Sequence, residues 1–174
     1  MSRAVLSIGS NLGDRLARLQ SAVDAMGDVV AASGVYEADP WGDVEQGPFL
    51  NAILIVDDPA CDAQDWLRRA QEAERAAGRV RGERWGPRTL DVDLIACYRT
   101  GPDGPVEILA NDPNLTLPHP RAHLRAFVMI PWLEVDPGAR LTVAGQVRPV
   151  AELLAELEPA ERESVRMSPL VLES

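Results

Sequence analysis

The chain has 174 residues, 46% of them hydrophobic, and a formal net charge of −10 from 17 basic against 27 acidic residues. That length suits one domain able to bury roughly 70% of the surface its unfolded chain exposes, and the acidic balance argues against general nucleic-acid binding, because phosphate backbones would be repelled. Every basic residue is arginine, which excludes both the Gly-Lys of a Walker A loop and Schiff-base lysine chemistry.

Cys61 and Cys97 stand far apart, and His119 and His123 are the only histidines. Their number and spacing suggest neither a disulfide framework nor a zinc site. The start of the chain carries too short an apolar run for a secretory signal, and no run of about 20 apolar residues exists to span a membrane. A reducing cytoplasm is the expected location.

Residues 3–8 read as a first strand, followed by a turn at Gly9-Ser10-Asn11 in which Ser10 or Asn11 can cap a helix. Leu12, Leu16, Leu19, Val23 and Met26 recur at helical spacing up to Gly27. A second strand is expected over 29–36, a Pro- and Gly-bearing loop over 37–48, and a third strand over 49–56. Asp57-Asp58-Pro59 reads as the start of a helix that runs to Ala77 with Trp66, Leu67, Ala70, Ala73 and Ala77 inward. A glycine-punctuated loop over 78–89 precedes a fourth strand over 90–97. A turn at 101–104, a short strand near 105–110, a proline-rich stretch at 113–120 and a short helix within 121–135 come next. A last helix covers 150–157, and the acidic end from Glu158 is expected to be loose. The order β-α-β-β-α-β is the ferredoxin-like plan: a single α+β domain, 1–174, with an antiparallel sheet and helices on one face.

Asp91 and Asp93 carry the strongest chemical signal. On a strand they point to one face with Cα atoms ~6.7 Å apart. Two carboxylates at that distance repel by roughly 2–3 kcal/mol at an effective dielectric of about 20, so a positive charge belongs between them. Pairing with neighbouring arginines would meet that need; so would magnesium, which prefers hard oxygen ligands and completes its shell with phosphates. The loop before them, Arg79-Val80-Arg81-Gly82-Glu83-Arg84-Trp85-Gly86-Pro87-Arg88-Thr89, is either a solvated charge run or an anion site that closes over phosphate oxygens. Trp85 either stacks on a flat base or anchors the loop. Phe49 and Phe127, the only phenylalanines, suit core packing or a planar heterocycle held between two rings, with Asn51 offering both a donor and an acceptor to its edge. His119, between two prolines, serves equally as a structural residue or as a donor to a phosphate or ribose.

Together these residues resemble the 6-hydroxymethyl-7,8-dihydropterin pyrophosphokinase family of folate synthesis. The resemblance spans about residues 4–135. Its pieces are Ile8-Gly9-Ser10-Asn11-Leu12-Gly13, residues 36–42, Gln46 with Phe49-Leu50-Asn51-Ala52, Leu117-Pro118-His119-Pro120-Arg121, and Phe127-Val128-Met129 with Pro131. The most specific is Glu83-Arg84-Trp85-Gly86-Pro87-Arg88-Thr89-Leu90-Asp91-Val92-Asp93-Leu94. The resemblance implies a ferredoxin-like fold and transfer of diphosphate from ATP to the pterin hydroxymethyl group, with AMP leaving. It implies that Asp91 and Asp93 hold two magnesium ions and that Arg79 and Arg88 neutralise the transferring group. Gln71, Glu74, Arg81, Arg84, Trp85, Arg88, Thr116, His119 and Arg125 would line the ATP site. Phe49 and Phe127 would sandwich the pterin, with Asn51 at its edge and the backbone of Ala38 and Trp41 completing the pocket. Asn114 stands where the family has an arginine. The expected partners are these two small molecules only, with no nucleic acid and no membrane, acting on a monomer. A ferredoxin-like module that binds RNA or another anion without catalysis, and a different magnesium nucleotidyl- or phosphotransferase, are the competing readings; the acidic net charge weighs against the first, and the products would separate the second.

Overall fold

The structure is a computed structural model and describes residues 2–11, 13–39, 47–77 and 90–173. Its frame is an antiparallel sheet in which β1 (Ser2–Ser10) lies between β4 (Phe49–Asp58) and β5 (Asp91–Gly101). β3 (Tyr36–Ala38) pairs with β4 on one side, and β6 (Gly104–Ile108) pairs with β5 on the other. A short β2 (Val29–Ala32) also pairs with β4. The expected second strand is thus split in two. With α1 (Arg15–Met26) after β1 and α2 (Ala63–Ala76) after β4, the ferredoxin-like order is the one observed.

Two element boundaries differ from the sequence reading for the same reason. β1 runs through Ser10 because Ser10 still pairs with Leu50 and Gly9 with both Asn51 and Asp91, so the helix cap moves to Asp14, whose carboxylate accepts the Ala17 N–H at 3.1 Å. β4 likewise continues to Asp58 opposite Ser2. The helix then starts at Ala63 behind a reciprocal capping box between Asp62 and Asp65. Ladder hydrogen bonds on a paired strand outweigh the local turn preference of Gly, Ser and Asp.

Helices cover both faces of the sheet, where the sequence reading expects one. On the first face Leu6, Ile8, Leu54 and Leu94 pack against Leu19 and Met26 of α1 and the fully buried Trp66 of α2. The Trp66 indole N–H donates to Ser2 Oγ at 2.9 Å. On the second face Val5, Ile53 and Ile95 meet Met129 and Trp132 of α3 (Ala126–Val135), with Val150 and Leu153 of α4 (Val150–Ala155) behind them. The sequence of α3, AFVMIPWLEV, is apolar almost all round, as a helix held between a sheet and another helix must be. A 3-10 turn at Ala122–Leu124 precedes α3, so the expected 121–135 helix is two pieces. β7 (Ala110–Asp112) and β8 (Leu115–Leu117) form a separate ribbon within the proline-rich stretch.

The last third contains elements that the sequence reading leaves out. β9 (Arg140–Val143) and β10 (Gln146–Pro149) make a hairpin through Ala144 and Gly145, both at positive φ (51° and 79°). That is the pattern of a type I′ turn, with alanine in place of the usual Asn or Asp. The end of the chain is not a loose tail. α5 (Pro159–Glu163) leads into β11 (Val165–Met167), which pairs with β3 at the sheet edge, and Leu172 is buried. Backbone pairing holds β11, assisted by Arg166 facing Glu37 and Asp39, and three residues carry too little periodicity to announce a strand.

Candidate active site

One β-bulge sets the phase of β5. Val5 pairs with Ala96 but Leu6 pairs with Leu94, leaving Ile95 as the extra residue. Asp91 and Asp93 therefore share the face of Ile95, while Val92 and Leu94 enter the α1/α2 core. The bulged Ile95 carbonyl accepts the His119 N–H at 2.8 Å, which brings the Leu117-Pro118-His119-Pro120 segment against β5. On the edge of β5 away from β1, the Val92 N–H donates at 3.1 Å to a carboxylate oxygen of Glu74, a buried acid on α2. Glu74 thus fixes the backbone between the two aspartates.

Across the sheet, Gly9 of β1 lies opposite Asn51 on one side and Asp91 on the other. With strands about 4.8 Å apart, the Asn51 and Asp91 backbones stand roughly 10 Å from each other. Backbone alone floors the gap: a Cβ on Gly9 would fall 2.7 Å from Asn51 Oδ1. Asn51 is buried, and its Nδ2 has no hydrogen-bond partner among the described residues. A buried amide without an acceptor costs about 1–3 kcal/mol, which a ligand carbonyl or ring nitrogen would recover. Phe49, two residues before Asn51 on the same strand, takes the same face and sits half-buried opposite the buried Ala38. Phe127, in the first turn of α3, is half-buried on that side of the sheet.

Arg125 ties these groups together. Its guanidinium carbon lies 5.5 Å from the centroid of the Phe127 ring. Burial pushes its pKa down, while the charges of Asp93 and Asp91 pull it back up, and Arg121 adds a smaller downward push. His119 is pushed from 6.5 to about 4 by burial, with Arg125 and Arg121 adding to the effect. Its Nδ1 accepts the Arg121 N–H at 3.2 Å. The ring is therefore neutral at pH 7 with its proton on Nε2, a fixed donor. Gln71 is exposed one turn before Glu74, and Thr116 is exposed on β8. The anticipated Trp41, Arg79, Arg81, Arg84, Trp85 and Arg88 lie outside the described residues.

The sequence reading misses Gly9 as the floor of the groove; the two-residue spacing of Phe49 and Asn51 marks one face of β4, but no local pattern says which strand lies next to it. It also misses Glu134 of α3, which accepts the Tyr36 hydroxyl at 2.5 Å and the Gly34 N–H at 2.9 Å. Burial and this carboxylate raise the Tyr36 phenol to about 12.

Among the described residues no group of three or more His, Cys, Asp and Glu side chains converges as a closed metal site. A pair of half-buried carboxylates with arginine beside it fits an ion that takes the rest of its shell from phosphate and water. A ferredoxin-like sheet bearing such a pair at one strand end, beside a buried amide and two rings, defines a class: a transferase acting on a nucleotide and a small planar acceptor.

Comparison with known proteins narrows the class. The profile of the 7,8-dihydro-6-hydroxymethylpterin-pyrophosphokinase (HPPK) family matches residues 5–137. The chain is 70% identical over 169 residues to the 2-amino-4-hydroxy-6-hydroxymethyldihydropteridine pyrophosphokinase of Mycobacterium tuberculosis, covering 96% of this chain and 90% of that one. It is 65% identical over 175 residues to the protein of the same name from Mycobacterium leprae, covering 99% and 92%. This chain belongs to the HPPK family, and ATP is its co-substrate. Among solved structures, wild-type HPPK-DHPS of Plasmodium falciparum with pteroate superimposes with a TM-score of 0.61 at 11% identity, over 89% of this chain and 44% of that one. An HPPK-DHPS in complex with substrates gives 0.62 at 9% identity, over 89% and 45%. This chain thus spans less than half of those two, and at such identities the likeness speaks for the fold. No helix among the described residues is long and apolar enough to cross a membrane.

Proposed function

We propose that this protein transfers diphosphate from ATP to the hydroxymethyl group of 6-hydroxymethyl-7,8-dihydropterin in folate synthesis, releasing AMP. Identity of 70% with relatives of that name supports the reaction. The structural observation that carries the reading is the row Asn51–Gly9–Asp91: a buried amide whose Nδ2 has no partner among the described residues, a floor without side chains, and a carboxylate pair whose charge acts on Arg125.

The hydroxymethyl oxygen attacks the β-phosphorus of ATP. The bond from that phosphorus to the oxygen bridging the α-phosphate breaks, AMP leaves with the bridging oxygen, and the hydroxyl proton goes to water. Such a transfer needs in-line positioning and charge stabilisation more than covalent help. Asp91 and Asp93 would hold two magnesium ions, which supply neutralisation of the phosphate charge. Arg125 and the neutral His119 Nε2–H donate to phosphate or ribose oxygens, and Gln71, Glu74, Arg81, Arg84, Trp85 and Thr116 complete the nucleotide site. Arg79 and Arg88 meet charge that develops on the transferring group. Phe49 and Phe127 hold the two faces of the pterin, Asn51 reads its edge, and the backbone of Ala38 and Trp41 closes the pocket. His119 is a donor rather than a base, since its Nδ1 is already engaged and its proton affinity is low. The protein acts as a single-domain monomer in the cytoplasm, without a nucleic-acid partner.

The test is AMP release from magnesium-ATP with and without 6-hydroxymethyl-7,8-dihydropterin. Pterin-dependent AMP is expected. ADP as the nucleotide product, or AMP that forms equally without pterin, would overturn the reading.

A further inference from the structure

α3 begins without a cap of its own: Arg125, the residue before it, makes no side-chain capping bond, although the first-turn N–H groups of a helix have no partner inside it. The buried Ala126 N–H instead donates at 3.3 Å to Glu161 Oε1, from α5, 35 residues further on. The Glu161 charge also bears on the Arg125 guanidinium. Among the described residues, the charges of Asp93, Asp91 and Glu161 each raise the Arg125 pKa. The first two are the pair assigned to magnesium, so Glu161 is the one not committed to metal.

α5 is itself held in place. The Asp39 N–H donates to the Ser164 carbonyl at 3.1 Å, Val165 pairs with Ala38, and Arg166 meets Asp39 at 3.0 Å. One short segment, residues 159–167, therefore touches both the strand carrying Ala38 and the helix start that carries Arg125 and Phe127. Residues 138–173 lie beyond the stretch matched to the family profile.

We propose that Glu161 is a positioning residue for the nucleotide: it anchors the first turn of α3 and orients Arg125, so that the C-terminal segment forms part of the active-site wall. A carboxylate at a helix N-terminus is favoured by the helix dipole, and the same carboxylate keeps a negative charge acting on Arg125 when the aspartates are engaged elsewhere. This inference rests on the proposed role of Arg125 as an ATP contact.

The experiment is calorimetric binding of a non-hydrolysable ATP analogue with magnesium to the full chain. It compares wild type, Glu161→Ala and Glu161→Gln, each with and without Arg125→Ala. Glu161→Ala should weaken the analogue roughly 3- to 10-fold, a usual coupling for contacting residues. Glu161→Gln, which keeps an acceptor for the Ala126 N–H but loses the charge, should fall between the two. With Arg125→Ala in place, Glu161→Ala should add almost nothing to the loss of the analogue, and Glu161→Gln, which keeps the acceptor that holds the first turn of α3, should leave pterin binding within about twofold. The same fold-loss in both backgrounds, or a loss shared equally by both ligands with a lowered Tm, would overturn the proposal in favour of a merely structural role. Should Arg125→Ala weaken the analogue while Glu161→Ala does not, this inference fails alone. Should Arg125→Ala leave the analogue's affinity unchanged, the assignment of Arg125 fails and takes this inference with it.

Discussion

Replacing Gly9 by alanine should damage pterin binding and spare ATP. The added Cβ would meet Asn51 Oδ1 at 2.7 Å, against 3.4 Å for an ordinary contact, while Asn51 Cγ and the Leu50 carbonyl oxygen stand at a comfortable 3.7 Å. The clash is thus with one side-chain atom, and relief requires the Asn51 amide to withdraw by about 0.7 Å. Backbone at Gly9 has no positive φ to protect, so the fold tolerates the methyl. A hydrogen bond made by a buried amide is sensitive to such a shift. Leaving both the amide and its ligand partner unpaired costs about 1–3 kcal/mol, or on the order of 5- to 100-fold in affinity. Fluorescence or calorimetric titration with 6-hydroxymethyl-7,8-dihydropterin, beside a titration with an ATP analogue, reads both ligands. The expected result is a pterin Kd raised by that factor and an ATP-analogue Kd changed by less than about twofold. A pterin Kd equal to wild type in folded Gly9→Ala protein would refute the placement of the pterin edge at Asn51.

Asp93→Ala should abolish most AMP release while leaving thermal unfolding near wild type, since the side chain is half-buried and faces the site rather than a core; near-normal turnover would remove the metal assignment. His119 predicts an acid sensitivity. Its folded pKa, about 4, lies below the usual 6.5, so between those values the unfolded chain binds a proton that the folded chain refuses. Stability then falls as pH drops from 6.5 towards 4, and this contribution is constant above 6.5. His119→Gln should flatten the decline of the urea midpoint across that window, and an unchanged slope would show that the ring is not held neutral.

Much of this protein is decided locally. The helical spacing of Leu16, Leu19, Val23 and Met26, the apolar runs of β1, β4 and β5, and the Asp91-Val92-Asp93 pattern each follow from neighbours in the chain, because burial of one face imposes a period of 3.6 or 2. What depends on distant partners is decided only by the tertiary structure. Gly9 becomes a floor because β1 lies between Asn51 and Asp91, and Ile95 becomes a bulge because β1 pairs out of step with β5. Glu161 caps a helix 35 residues upstream of it, and Val165 to Met167 become a strand because the edge of β3 is there to pair with. A three-residue strand or a single glutamate carries no periodicity. Its conformation is set by hydrogen-bonding groups that arrive from elsewhere in the fold.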